Sequence, residues 1–174
     1  MSGPESWQLR DADAADAAGI AAIYNHAVLH TTAIWNEATV DAANRAAWIA
    51  ERRRQGYPVL VAVDSERQVL GYASFGDWRA FDGYRHTVEH SVYVHPEAQG
   101  RGIGLALLGE LIARARALGK HAMVAAIEAG NEGSLRLHRR LGFEPAGLLR
   151  EVGTKFGRWL DLAFWLLILE PQSA

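Results

Sequence analysis

The sequence predicts an α/β fold of about seven strands and four helices in the order β-α-α-β-β-β-α-β-α-β-β. Three observations carry that expectation. Apolar residues switch repeatedly between the alternation of strands and the three-to-four spacing of helices. Residues 86–105 read as a strand that empties through a glycine turn into a helix. The chain's 174 residues, 49% of them apolar, suffice for one domain with a proper core and are few for two. A single domain over 1–174, with its core at about 9–170, is therefore expected.

Trp7 to Arg10 is a short strand, and Asp11 or Asp13 can cap a helix from about Ala14 to Leu29, where Ile20, Ile23, Tyr24 and Ala27 share one face. Thr39 or Asp41 can cap a second helix to Gln55, ended by Gly56 and Pro58. Val59 to Val63 and Val69 to Phe75 form an antiparallel hairpin around the polar turn Asp64 to Arg67. Thr87 to Val94 is the fourth strand. The helix after it, Gly102 to Leu118, sets Leu108, Leu111, Ile112 and Ala115 at helical spacing and stops at Gly119. His121 to Ile127 is a strand, Asn131 to Leu141 a short helix, and Gly147 to Lys155 and Trp159 to Leu169 are the tail strands. Trp48 and Trp165 fall at apolar positions and are assigned to the core.

The glycine turn points to a ligand. Pro96 stops the strand, and Gly100, Gly102 and Gly104 leave the following backbone N–H groups without side-chain cover. With the positive end of the helix dipole, those donors suit a pyrophosphate. A Walker A loop would need Lys then Ser or Thr after Gly104, where Leu105 and Ala106 stand. The dinucleotide fingerprint would need Gly or Ala at Leu105, or at Leu107 in the shifted frame. A helix start with no ligand is the plain alternative.

Composition narrows the class further. Net charge is −2, from 18 basic and 20 acidic residues with no long run of either sign, so no nucleic-acid or anionic-membrane surface is expected. Cysteine is absent, which excludes disulfides and thiolate chemistry and suits the cytoplasm. Met1 to Arg10 lacks the apolar centre of a signal peptide, and the apolar run Trp159 to Leu169 is interrupted by Asp161 and too short for a membrane helix.

Gln99-Gly-Arg-Gly102-Ile-Gly104 resembles the acetyl-CoA turn of the GNAT N-acetyltransferases, Gln/Arg-x-x-Gly-x-Gly/Ala, and the element order matches theirs from about Leu9 to Glu170. Within that superfamily the chain looks closest to the phosphinothricin and methionine sulfoximine acetyltransferases. The residues that say so include Thr32-Ala-Ile-Trp35, Trp78-Arg79, Glu89-His90-Ser91 and Lys155-Phe-Gly-Arg-Trp159. The resemblance implies a central, mixed, mostly antiparallel twisted sheet flanked by helices. It implies acetyl-CoA as cosubstrate, no metal, and a small amino-acid-like amine as acceptor. Backbone groups of Val92, Tyr93 and Val94 would pair with the pantetheine arm, while N–H groups from Gly100, Arg101, Gly102, Ile103, Gly104 and Leu105 hold the pyrophosphate. Asn131 would bond the same arm, although a plain N-cap demands the same residue.

Acetyl transfer needs a neutral amine, close approach, a stabilised oxyanion and a protonated leaving thiolate. Glu89 is the candidate base, because a carboxylate on a central strand has its pKa raised by burial. Its structural alternative is an ion pair with Arg79 or Arg85. His90 points to the opposite face from Glu89, so one of them at most is expected on a given side of the sheet. The resemblance assigns substrate contact to Glu89-His90-Ser91, with backbone at a bulge in the strand. His138 stands where the superfamily often places a thiolate-protonating tyrosine, and it is either the general acid or a packing residue. Arg79 is the candidate carboxylate clamp, in the substrate-side loop Arg79-Ala80-Phe81; Phe81, Trp35 and Phe156 are candidate walls, and Arg85, Lys155 and Arg158 further cations. The alternatives are acetylation of a protein or peptide N-terminus, a non-catalytic CoA-binding module, and a nucleotide-binding domain with Glu128 on the ribose. The apolar tail strands suit a homodimer or a buried central position.

Overall fold

The expected order of elements holds in the computed structural model, which describes residues 6–170. Its strands are β1 (Trp7–Asp11), β2 (Val59–Asp64), β3 (Val69–Asp77), β4 (Thr87–Val94), β5 (Ala122–Glu128), β6 (Glu144–Lys155) and β7 (Arg158–Ile168). Its helices are α1 (Ala17–His30), α2 (Ala42–Arg54), α3 (Ile103–Ala117) and α4 (Glu132–Arg140). The parts of the N-terminal and domain readings that fall on residues 1–5 and 171–174 lie outside the described residues.

Local chemistry sets the boundaries. Asp13, not Asp11, opens the first helical segment. Its carboxylate accepts from Ala15 N at 2.8 Å, Asp16 accepts from Asp13 N at 2.8 Å, and a short 3-10 turn leads into α1. Asp16 is buried, and Arg10 donates to both of its oxygens at 2.7 and 2.8 Å, so its carboxyl stays below the usual range despite the desolvation. Asp41, rather than Thr39, caps α2 by accepting from Asn44 N at 2.8 Å. β6 begins at Glu144, ahead of the expected Gly147. An edge strand tolerates a proline such as Pro145, and a register shift between Pro145 and Gly147 absorbs the irregularity.

The seven strands form one sheet in the order β1-β2-β3-β4-β5-β7-β6, antiparallel at every step except β4–β5. That parallel step follows from α3, which carries the chain back along the sheet between the two strands. One face packs on α3 through Leu107, Leu108, Leu111 and Ala115, with Trp165 in the same core. The other packs on α1 and α2 through Ile20, Ile23 and Ile49. Trp48 departs from its core assignment. It is half-buried, edge-on to Tyr72 at 6.0 Å, with the Arg45 guanidinium 5.0 Å from its ring, because α2 lies at the rim and buries only Ile49 completely.

Lys155 ties the β6–β7 hairpin to the end of α1. It is 3% exposed, and its ammonium donates to the carbonyls of Thr31 at 2.6 Å, Ala27 at 3.3 Å and Ile34. A cation at a helix C-terminus answers both the free carbonyls and the macrodipole. Burial lowers its pKa, and the charge of Glu37 opposes that shift. All three donors are engaged, so Lys155 is a structural cation rather than a substrate contact. Lys155→Met should destabilise the fold by about 1–3 kcal/mol in urea titrations. An unchanged midpoint would show that these bonds contribute nothing net.

Candidate active site

The sheet opens at its one parallel step. β4 and β5 pair only along Thr87–Glu89 against Ala122–Val124. Beyond that point β4 stays paired with β3 to Val94, and β5 stays paired with β7 to Glu128. The strands therefore diverge, and backbone groups between His90 and Val94 that face β5 have no strand partner. Such groups require donors and acceptors from elsewhere, as an added extended chain would supply. Both strands end on the same side of the sheet and lead into α3 and α4, so two helix N-termini flank the gap.

At the first of them, Gly100 and Gly102 adopt φ of 76° and 78°, a left-handed conformation that favours glycine. No side chain caps α3. Ala106 N reaches back to Gly102 O at 3.1 Å, while the N–H groups of Ile103, Gly104 and Leu105 precede the first helical bond. A cavity of about 460 Å³ lies over this turn. Val92, Tyr93, Val94, Gly100, Gly102, Ile103, Gly104, Leu105 and Asn131 line it, whereas Arg101 does not. A Cβ at Gly104 would meet Leu137 Cδ2 at an ordinary 3.5 Å, which accords with a pattern that accepts Gly or Ala there. Asn131 Oδ1 accepts from Ser134 N at 3.1 Å, so it caps α4 and faces the cavity together.

A second cavity of about 280 Å³ adjoins the first, sharing Val92, Tyr93, Asn131 and Ser134, and is lined also by Glu89, His90, Ser91 and His138. Glu89 and His90 do lie on opposite strand faces, opposite Gly76 and Phe75 of β3. Each therefore takes its own side of the sheet, as expected, yet both line one cavity, because the sheet is open there. The expected bulge in β4 is also absent from the β3–β4 ladder, whose register runs unbroken from Gly71↔Val94 to Asp77↔Val88. The divergence of β5 supplies the irregularity instead.

Glu89 is half-buried and makes no ion pair among the described residues; Arg85 donates instead to Asp82 O at 2.9 Å. Burial raises the Glu89 carboxyl above the usual glutamate range, and the Arg79 charge pulls it partly back. The Tyr93 phenol beside it is pushed up to about 12, by burial first and by Tyr24 and Glu89 second, and stays protonated.

His138 is 1% exposed, with Nδ1 2.7 Å from Ser134 O and Nε2 2.9 Å from His90 Nε2. Both nitrogens are thus engaged within the protein. Burial lowers the pKa of His138, and it pushes His90 down to about 3.

Arg79, Ala80 and Phe81 lie on an exposed loop and line neither cavity; Phe81 is 78% exposed, and Arg79 stacks 4.8 Å above Trp78. Trp35 packs on Gly153, where a Cβ would fall 2.1 Å from its ring, and Phe156 and Arg158 are exposed. Arg52 is the lining residue that sequence reasoning missed. Its guanidinium lies over Gly76, the cross-strand partner of Glu89, leaving no room for a Cβ, and its Nε is buried without a partner. The available signal was an arginine four residues after Trp48, but nothing in one sequence pairs α2 with a glycine of β3.

Residues 20–143 match the sequence profile of the acetyltransferase (GNAT) family. The chain belongs to that family. It is 63% identical over 169 residues to an L-methionine sulfoximine/L-methionine sulfone acetyltransferase of Pseudomonas aeruginosa, covering 97% of this chain and 98% of the relative. It is 38% identical to a phosphinothricin N-acetyltransferase of Streptomyces coelicolor, over 95% and 98% of the two chains. An acetyltransferase of Salmonella typhimurium, solved with its cofactor acetyl-CoA, superposes with a TM-score of 0.91 at 58% identity, covering 97% of this chain and 96% of that one.

For this acetyltransferase the bare amides after Gly102 give a direct test. Gly102→Val sets a β-branched side chain at φ 78°, a strain of about 1–3 kcal/mol. Calorimetry should find acetyl-CoA bound about tenfold or more weakly, with the far-ultraviolet dichroism unchanged. Unaltered affinity would mean that the diphosphate sits elsewhere.

Proposed function

We propose that this acetyltransferase binds acetyl-CoA in the gap between β4 and β5 and transfers the acetyl group to the α-amine of a small amino acid or analogue. L-Methionine sulfoximine and L-methionine sulfone lead the candidates, with phosphinothricin behind them, and attack is direct in a ternary complex. The observation that carries this reading is the three-residue pairing of β4 with β5. It leaves a strand-shaped vacancy for the pantetheine arm, with the amides of α3 at one end and the Glu89 cavity at the other.

In this reading Val92, Tyr93 and Val94 align the arm through their backbone, and the N–H groups from Gly100 to Leu105, Arg101 with them, hold the diphosphate. An N–H of β4 near Val94 steadies the thioester oxygen. Glu89 takes a proton from the incoming ammonium, and its half-burial supports that role because a raised pKa brings a carboxylate closer to an amine. Ser91 lies on the Glu89 face. Arg79 clamps the substrate carboxylate from the rim with Ala80 and Phe81, and the half-buried Arg52 offers a second cation from within the cavity. Residues 1–174 act as one catalytic domain, supported by the single continuous sheet.

The same reading places the protein in the cytoplasm, where acetyl-CoA serves as a common acyl donor. It also makes the protein a homodimer, with no nucleic-acid or membrane partner. β6 is an edge strand whose Leu148, Leu149 and Val152 are about half exposed, a surface that a second copy would cover. Sedimentation should show a dimer that Leu148→Glu with Val152→Glu dissociates; a monomeric wild type removes that part.

A screen of amino acids and analogues, read as free thiol released from acetyl-CoA, tests the activity. The two methionine derivatives should give the highest kcat/KM, and a preference for peptide N-termini would overturn the substrate assignment. Glu89→Gln should lose about 10²–10⁴-fold in rate at neutral pH with CoA affinity retained. The active form is the carboxylate, so the rate falls as pH drops through a Glu89 pKa above the usual range. Removing the Arg79 charge raises that pKa further, and Arg79→Ala should move the acid limb upward. A limb that stays put would exclude Glu89 as its source.

A further inference from the structure

Hydrogen-bond accounting at the two buried histidines leaves one ring nitrogen over. Ser134 O can only accept, so His138 Nδ1, 2.7 Å away, carries a hydrogen. Both rings are neutral, since burial lowers both pKa values and pushes His90 down to about 3. A neutral imidazole has one N–H, so His138 Nε2 is an acceptor, and the 2.9 Å contact is closed by a hydrogen on His90 Nε2. His90 Nδ1 is then a bare lone pair, buried and without a partner among the described residues. The two ring planes lie within 17° of each other with centroids 5.0 Å apart, and Phe143 is edge-on to both, at 5.7 Å from His90 and 5.0 Å from His138, which holds them in place. A buried acceptor left unpaired carries a cost, and His90 itself lines the cavity that Glu89 also lines.

We propose that His90, rather than His138, is the ring through which this pair meets the reacting groups, its Nδ1 taking a proton from the amine nitrogen and returning it to the leaving sulfur, while His138 is a positioning residue that fixes the tautomer. The proposal rests on the acetyl-transfer reading. As the C–N bond forms and the C–S bond breaks, an ammonium nitrogen loses two protons in becoming an amide. Glu89 delivers one to solvent, and His90 carries the other from nitrogen to sulfur. The weak basicity of His90 suits this task, because a nitrogen bonding to the acyl carbon becomes strongly acidic and a thiolate readily takes a proton from a reluctant imidazolium. The charged groups around the cavity are Glu89 on the other face of β4, Arg52 of α2, Asp77 of β3 and Glu128 at the end of β5; α4 presents His138, and Phe143 is neutral.

Long-range proton–nitrogen correlation spectra of the ¹⁵N-histidine-labelled wild-type protein test the assignment without substrate. His138 should be the Nδ1–H tautomer and His90 the Nε2–H tautomer, both neutral at pH 7; a hydrogen on His90 Nδ1, or a charged His90, overturns the proposal. In turnover, His90→Phe should lower kcat about 10²-fold, with the KM for acetyl-CoA and the unfolding midpoint little changed. His138→Gln, which keeps an acceptor toward His90, should retain more of the rate than His138→Phe. A wild type that acetylates no amine overturns the transfer reading. A wild type that turns over, with a His90→Phe variant of undiminished kcat, overturns the proton relay alone.

Discussion

The candidate site of this molecule follows from two parallel strands that stay together for three residues and then part. A sheet normally saturates its backbone donors and acceptors against neighbouring strands, and here the saturation stops in mid-sheet while β3 and β7 hold the outer sides of the parting pair in register. The vacancy is therefore rigid. Its walls are made by ladders, and its mouth by two helix starts whose polarity favours an anion. The same divergence explains how residues on opposite faces of β4 come to share a cavity.

That geometry also governs the electrostatics. Glu89 and His90 are adjacent in sequence, and both have their charged forms disfavoured by burial, which moves a carboxyl up and an imidazole down. In the proposed mechanism, two neighbouring groups pushed in opposite directions divide the proton traffic between them. There the raised pKa suits Glu89 to relieve an ammonium, and the lowered one leaves His90 too weak a base to hold a proton for long. Neither has an ion pair to neutralise it among the described residues, in contrast to Asp16, which Arg10 holds as a structural carboxylate against its desolvation. What separates the Glu89 carboxyl from that of Asp16 is the bidentate guanidinium that Asp16 has and Glu89 lacks.

The fold was nearly all legible because its signals are local. Alternation, helix faces and stop residues located all eleven main elements, and Thr87 to Val94 falls where the β-branched run placed it. Local signals left a choice open where two residues competed for one role, as Asp11 and Asp13 did, and they started β6 late, at Gly147, because an edge strand tolerates Pro145. Lys155 read as a further cation for the substrate, and only the approach of the α1 terminus turned it into a buried cap.

The sequence alone determined the glycine turn, the strand before it and the chemical class of their ligand, because backbone conformation and helix polarity depend on a few consecutive residues. Tertiary structure decided what surrounds that turn. Pairing between β4 and β5 sets where the cavity opens, packing of α4 sets His138 against His90, and α2 lays Arg52 over Gly76, contacts between residues 24 to 48 positions apart for which one sequence holds no signal. Short-range stereochemistry could be read from neighbours in the chain, whereas the ring nitrogen of His90 left without a partner emerges only from the hydrogen bonds that tertiary packing makes.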